Sequence, residues 1–272
     1  MNGPLVLKLG GELLETPQDR RRVAALAGSI AVQRPLVIVH GGGRAIDAEL
    51  DRRAIAPKKV DGLRITDKAT LDVVVSVLAG SSNTELVAAL VAAGVPAIGL
   101  TGIDAGLGRA ARAAAHRATS GTIVDLGLVG DPTEVDPAVL ELLLVHGYVP
   151  VIASLGLEES SGNEAVILNV NADVMACRVA ASLGGSDLVI AGGTAGVLDA
   201  AGESIGLLDA AGIDHIIASG TATAGMVAKL SSCRTALLEG VNSVRIVDGK
   251  ALDATHGVDE AAGTTLTLAV PA

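Results

Sequence analysis

Residues 36–47 read LVIVHGGGRAID. The aliphatic run 36–40 lacks polar alternation, as expected of a strand covered on both faces. Three consecutive glycines follow, and a helix-like segment opens near Ala45. Strand, glycine turn and helix in immediate succession form the repeating unit of a layered α/β sheet. Backbone amides at such a helix start, unobstructed by side chains, make an anion site. The same punctuation extends in both directions. Aliphatic runs at 5–9, 95–100, 149–153, 188–191 and 244–247 predict further strands, and 20–31, 45–53, 69–78, 84–93, 137–145, 172–183 and 226–239 predict helices. The expected fold is α/β: an open, mainly parallel central sheet sandwiched by helices. Ligands of such sheets lie beyond the carboxyl ends of the strands, so the residues just after each run are where chemistry belongs.

Composition narrows the function. The 272 residues carry a net charge of −10, with one tyrosine, no phenylalanine and no tryptophan. A nucleic-acid partner is not expected, because it would need a basic face and, for single strands, aromatic stacking platforms. The uncharged run 86–103 is cut by Gly94 and Pro96 into a helix-like and a strand-like half, so no membrane partner is expected either. No basic region precedes an apolar stretch at the N-terminus, which predicts a cytoplasmic protein. Cys177 and Cys233 have no pairing or metal-ligand spacing and read as two small buried thiols. The polar segment 156–164, between two apolar runs, predicts a hairpin-like flap or a lobe boundary.

Five strand ends carry candidate chemistry. LVLKLGG (5–11) places Lys8 near the end of a strand and two glycines after it. A lysine there either emerges at a polar site beside glycines that admit an anion, or points to water from an edge strand. In VIVHGGGRAID (37–47) the glycine spacing is neither the dinucleotide fingerprint nor a P-loop, and His40 reads as a structural histidine that hydrogen-bonds the loop. DGLRITD (61–67) sets Arg64 between acids, either as a bidentate carboxylate grip or as a surface ion pair. ILNVNAD (167–173) puts Asn169, Asn171 and Asp173 at alternate positions, hence on one face if the strand persists. The simpler reading of Asp173 is an early-helix acid favoured by the dipole. TATAGMVAKL (221–230) sets Gly225 ahead of a helix and Lys229 about one turn inside it, either solvated or reaching back to a phosphate.

In this order the five motifs resemble the amino acid kinase family, and among its branches those acting on N-acetyl-L-glutamate. The resemblance runs from Leu5 to the closing GTTL at 263–266. It implies two lobes, 1–164 for acceptor binding and dimerisation and 165–272 for the nucleotide. The implied activity is transfer of the γ-phosphoryl of ATP, carried with Mg²⁺, to a side-chain carboxylate, giving an acyl phosphate in arginine biosynthesis. Carried over position by position, Lys8 and Lys229 flank the migrating group and Asp173 orients them. Gly42, Gly43, Arg64, Asn169 and Asn171 hold the acceptor. Gly10, Gly11, Gly193, Thr194, Gly196, Thr221, Thr223 and Gly225 border the nucleotide, and no protein metal site is implied. Two positions depart from the family pattern, Gly193 and Ala224, where aspartates are usual.

An acceptor carboxylate with a pKa of ~4.3 is already ionised at neutral pH, so no general base is required. The task is to neutralise charge around the transferred phosphoryl, which two lysines, glycine amides and Mg²⁺ do. Seven residues before Lys8 leave no room for the helix that links dimers of arginine-inhibited relatives into hexamers. The resemblance therefore implies an arginine-insensitive homodimer. Rival expectations are a kinase of another N-acylated glutamate or of aminoadipate, and a non-catalytic metabolite sensor.

Overall fold

The computed structural model describes residues 3–159, 164–199, 201–220, 224–255, 257–258 and 261–268. Its core is an eight-stranded sheet in the order Leu207–Leu208, Gly263–Leu266, Ser243–Asp248, Asp187–Gly192, Leu5–Leu9, Leu36–His40, Val149–Ala153, Ala97–Thr101. Every pairing is parallel except that between Ser243–Asp248 and Gly263–Leu266. The eight α-helices among the described residues are α1 (Pro17–Ala31), α2 (Gly43–Arg52), α3 (Lys68–Val75), α4 (Asn83–Ala92), α5 (Ala138–Val145), α6 (Ala172–Ser182), α7 (Ala210–Ser219) and α8 (Ala224–Leu238). The sandwich is the expected one.

Side-chain alternation along the first strand sorts the two faces. Leu5, Leu7 and Leu9 enter one core cluster with Leu36, Ile38 and the α1 residues Val23, Leu26 and Ile30. Val6 enters the opposite cluster with Val37, Val39, Ile190 and the α6 residues Met175 and Val179. Each large aliphatic side chain fully buried in this way contributes roughly 1.5–3 kcal/mol. Period two puts Lys8 on the same face as Val6, towards α6. That face decides the lysine's fate.

Several elements start or join differently from expectation. α1 begins at Pro17 because Thr16 and Asp19 form a reciprocal capping box ahead of a proline that tolerates the first helical position. The expected helices 69–78 and 84–93 are joined through a π-helical stretch, Ser76–Ser82, so Gly80 and its flanking serines widen the helix instead of breaking it. The joined helix Lys68–Ala92 is long and apolar enough to cross a membrane by length and composition alone. Its residues Leu71, Val73, Val74, Leu78, Leu86 and Leu90 are nevertheless buried in the core. A four-stranded closed barrel of Leu155–Glu158, Ile167–Val170, Val129–Val135 and Gly108–Arg112 stands beside the sheet and was not foreseen. Its first two strands pair antiparallel, giving the hairpin anticipated around 156–164; residues 160–163 lie outside the described residues.

Candidate active site

Lys8 ends up 8% exposed on a strand otherwise made of aliphatic residues. Its ammonium is not stranded: Nζ stands 2.7 Å from Asp173 Oδ1. Asp173 is the second residue of α6, whose cap is Asn171, the Oδ1 of which accepts from the Asp173 amide at 2.8 Å and the Val174 amide at 3.4 Å. Lys229 Nζ, on α8, reaches Asp173 Oδ2 at 3.5 Å. Burial alone would raise the Asp173 pKa, but the two ammonium groups more than offset it and hold the carboxyl below its ordinary value. One acid thus gathers two lysines separated by most of the chain. A further turn along the same helices, the buried thiols of Cys177 and Cys233 also meet. The neighbouring thiol and then burial push Cys177 well up, keeping it protonated and part of the α6–α8 packing.

The glycines bring two loops into contact in front of these charges. A methyl group on Gly11 would fall 2.8 Å from the Gly42 Cα, so the loop after the first strand and the loop after the second touch backbone to backbone. The Gly10 amide donates to Ala191 O at 2.9 Å, tying this loop to the end of the neighbouring strand. The cleft, of about 330 Å³, is lined by Lys8, Gly10, Gly11, Gly42, Gly43, Arg64, Asn169, Asn171 and Asp173.

At its far side, Asp61 and Gly62 both take positive φ and close a two-residue hairpin that sets Lys59 opposite Arg64. Both then grip Asp47 of α2, Lys59 Nζ at 2.6 Å and Arg64 Nη2 at 2.6 Å, and Arg64 Nη2 also donates to Gly43 O at 3.1 Å. Burial raises the Asp47 pKa, and the hydrogen bonds from Lys59 and Arg64 bring it below the ordinary value. The Arg64 side chain is only 8% exposed, against the surface alternative, and its Nη1 is buried without a hydrogen-bond partner. A buried guanidinium nitrogen with an unused donor suits a carboxylate ligand. Asn169 donates from Nδ2 to Thr66 Oγ1 at 3.2 Å, on the same wall.

Other expected residues lie apart from this cluster or have a second occupation. Gly193 and Thr194 follow the strand Asp187–Gly192, and a methyl group on Gly193 would fall 3.7 Å from Glu12 Oε1. Gly196 takes φ of +126° and packs against Thr264 and Ser204, so its lack of a side chain serves loop packing. Gly225 lies within the first turn of α8, which starts at Ala224, and not ahead of it. Thr221 and Thr223 lie outside the described residues.

Sequence reasoning missed Asn83. His40 is fully buried, and Asn83 Nδ2 donates to its Nε2 at 3.1 Å and to Val151 O at 3.0 Å. Its Nδ1 faces Gly41 O at 3.2 Å. Nε2 accepting and Nδ1 donating make a neutral ring, and burial pushes the His40 pKa down to about 4. His40 therefore steadies the glycine loop, as its position in the sequence suggested. Gly99 makes room for Asn83: a methyl group there would fall 2.2 Å from Asn83 Oδ1.

A parallel αβα sheet whose strand ends present glycine loops, two lysines and an orienting acid defines a class of proteins that handle transferable anionic groups. Residues 3–248 match the amino acid kinase family, and the chain belongs to that family. It is 39% identical over 267 residues to an acetylglutamate kinase of Chloroflexus aggregans, covering 97% of this chain and 100% of that one. It is likewise 39% identical over 253 residues to an acetylglutamate kinase of Symbiobacterium thermophilum, covering 90% and 84%. Among solved structures, the smu.665 protein of Streptococcus mutans superimposes with a TM-score of 0.76 at 27% identity, covering 99% and 100%.

Proposed function

We propose that this chain is an acetylglutamate kinase, transferring the γ-phosphoryl of ATP to the side-chain carboxylate of N-acetyl-L-glutamate. The observation that carries the reading is the convergence of Lys8 and Lys229 on Asp173 at one end of the glycine-lined cleft. Charge on the three equatorial phosphoryl oxygens is what must be stabilised, and fixed ammonium groups do this without reorganising during the reaction. The acceptor α-carboxylate is assigned to Arg64 Nη1, its acyl amide to Asn169, and its reacting end to the space between Gly42, Gly43 and Lys8. The acceptor carboxylate attacks the γ-phosphorus, ADP leaves, and no proton is exchanged.

The nucleotide phosphates are assigned to the glycine turn at Gly10 and Gly11, beside Glu12, and to the segment at Gly193. At Gly11 an added methyl group would fall 2.8 Å from the Gly42 Cα, which fits a turn that admits no side chain there. Mg²⁺ is assigned to arrive with the nucleotide.

Association as a homodimer through the N-terminal lobe belongs to the same reading. α4 and α5 cover opposite faces of the sheet beside its free edge strand Ala97–Thr101, and both carry outward apolar side chains: Val91 on α4, Leu142 and Val145 on α5. A cytoplasmic location agrees with the two free buried thiols and with ATP as co-substrate.

The test is ATP-dependent hydroxamate formation with acetylglutamate, glutamate, aspartate and aminoadipate side by side, since hydroxylamine traps an acyl phosphate. Turnover confined to acetylglutamate is expected. Preference for another acceptor, or no turnover with any, refutes the assignment.

A further inference from the structure

The loop after Lys8 holds a carboxylate to which no role has yet been given. Glu12 lies in the short turn Gly11–Leu13 and lines the same cleft as Lys8 and Asp173. Its side chain folds back across the glycine floor. A methyl group on Gly10 would fall 2.3 Å from Glu12 Oε1, and methyl groups on Gly192 and Gly193 would fall 3.5 Å and 3.7 Å from the same atom. The carboxylate therefore sits where the ends of two adjacent parallel strands, Leu5–Leu9 and Asp187–Gly192, come together. Among the described residues, Glu12 takes part in no hydrogen bond or ion pair, whereas Asp173 and Asp47 each engage two cations.

An acid left without a cation on a floor assigned to phosphates is at first sight adverse. Lys8 and Lys229 are matched by Asp173 and Glu12, so these four groups carry no net charge. A metal-free nucleoside triphosphate arriving there meets a bare carboxylate at short range and no surplus of positive charge. A divalent cation between the carboxylate and the phosphates reverses that balance. Mg²⁺ is commonly bound in this way, through one or two carboxylates plus substrate phosphates and waters, and not in an all-protein cage.

We propose that Glu12 is the protein's contact to the divalent cation carried by the nucleotide, directly or through one water, and that it makes binding selective for the metal-loaded nucleotide. This rests on the nucleotide placement proposed above. The requirement for the metal is then written into the binding step, before any chemistry.

The experiment is calorimetric titration of the full chain with ATP in excess EDTA and with ATP plus Mg²⁺, for the wild type, Glu12→Gln and Glu12→Asp. Electron paramagnetic resonance of the Mn²⁺–nucleotide complex on the same proteins is the second readout. The wild type is expected to favour metal-loaded ATP, and Glu12→Gln to shrink the ratio of the two affinities by about tenfold or more, the usual scale for losing a group that supports a bound metal. Glu12→Asp should retain part of the ratio, and the Mn²⁺ spectrum should change in Glu12→Gln. An unchanged ratio in Glu12→Gln, or a parallel rise of both affinities as for a simple obstruction, overturns the role of Glu12 alone, provided the wild type binds ATP and forms hydroxamate. If the folded wild type binds neither form, the kinase reading falls and the Glu12 role with it.

Discussion

At the scale of single residues, the proposed transfer has Lys8 and Lys229 act on charge that develops during the reaction and Arg64 on charge that does not change. The consequences differ. Lys8→Ala or Lys229→Ala should lower kcat on the order of 10²- to 10³-fold with little change in the KM for acetylglutamate. Arg64→Ala should mainly raise that KM, because it removes binding made equally in ground and transition states. Steady-state kinetics varying each substrate in turn separate the two cases; near-normal kcat in both lysine variants would remove the assigned roles. Asp173→Asn leaves two ammonium groups facing each other in a largely buried site. Breaking a buried ion pair from one side costs about 3–5 kcal/mol, so chemical denaturation should detect a loss of that order alongside the loss of turnover.

Among elements, the consequential contact is the tie between the end of the strand Leu36–His40 and the start of α4. His40 remains neutral in the folded protein because its pKa is about 4, while the unfolded chain titrates at 6.5. Protons are therefore taken up by the unfolded state first. The stability that His40 contributes is complete above the unfolded value and is lost as pH falls through the folded one, a change on the order of 3 kcal/mol. Urea titrations between about pH 7 and pH 4 should show this loss in the wild type. His40→Gln, which cannot take up a proton, should flatten that segment of the profile while starting from a lower stability. An equal slope in the variant would point to other titrating groups.

The strand ends and glycine loops were legible in the sequence because each is a local pattern of a few neighbouring residues. Asn83 was not. Its partners are His40 and Val151, on different strands, and nothing in the run SSNTEL distinguishes it from a surface residue. The π-helical join at Ser76–Ser82 was hidden for a similar reason: glycine and serine weaken a helix locally, and only burial of Val77 and Leu78 on one side and Leu86 on the other keeps it continuous.

For the molecule as a whole, the sheet divides at the seam between Leu5–Leu9 and Asp187–Gly192, with strands that precede residue 154 on one side and strands that begin at Asp187 or later on the other. The cleft opens beside that seam, over the ends of Leu5–Leu9 and Leu36–His40. At the far edge, Val145 is 83% and Leu142 58% exposed on a helix with little polar surface. These side chains belong to the face assigned to the proposed dimer. Val145→Asp together with Leu142→Asp should convert a dimer to monomer in sedimentation velocity and lower the thermal midpoint, since association stabilises only the folded state. A wild type that sediments as a monomer at micromolar concentration would refute the dimer.

Local sequence was enough to say which segments are strands, where glycine replaces side chain at their ends, and which charged residues stand next to those glycines. It also determined the face on which Lys8 emerges, because strand periodicity leaves no choice once Val6 is inside. Chain packing was needed to bring Lys8 and Lys229 to one acid, to bury Arg64 in place of a surface ion pair, to lay Glu12 unpaired over Gly10, and to set a small barrel beside the sheet. The physical reason is range. Propensity, capping and periodicity act over a few residues, whereas a carboxylate's choice of cation depends on which parts of the chain the burial of aliphatic side chains has already brought together.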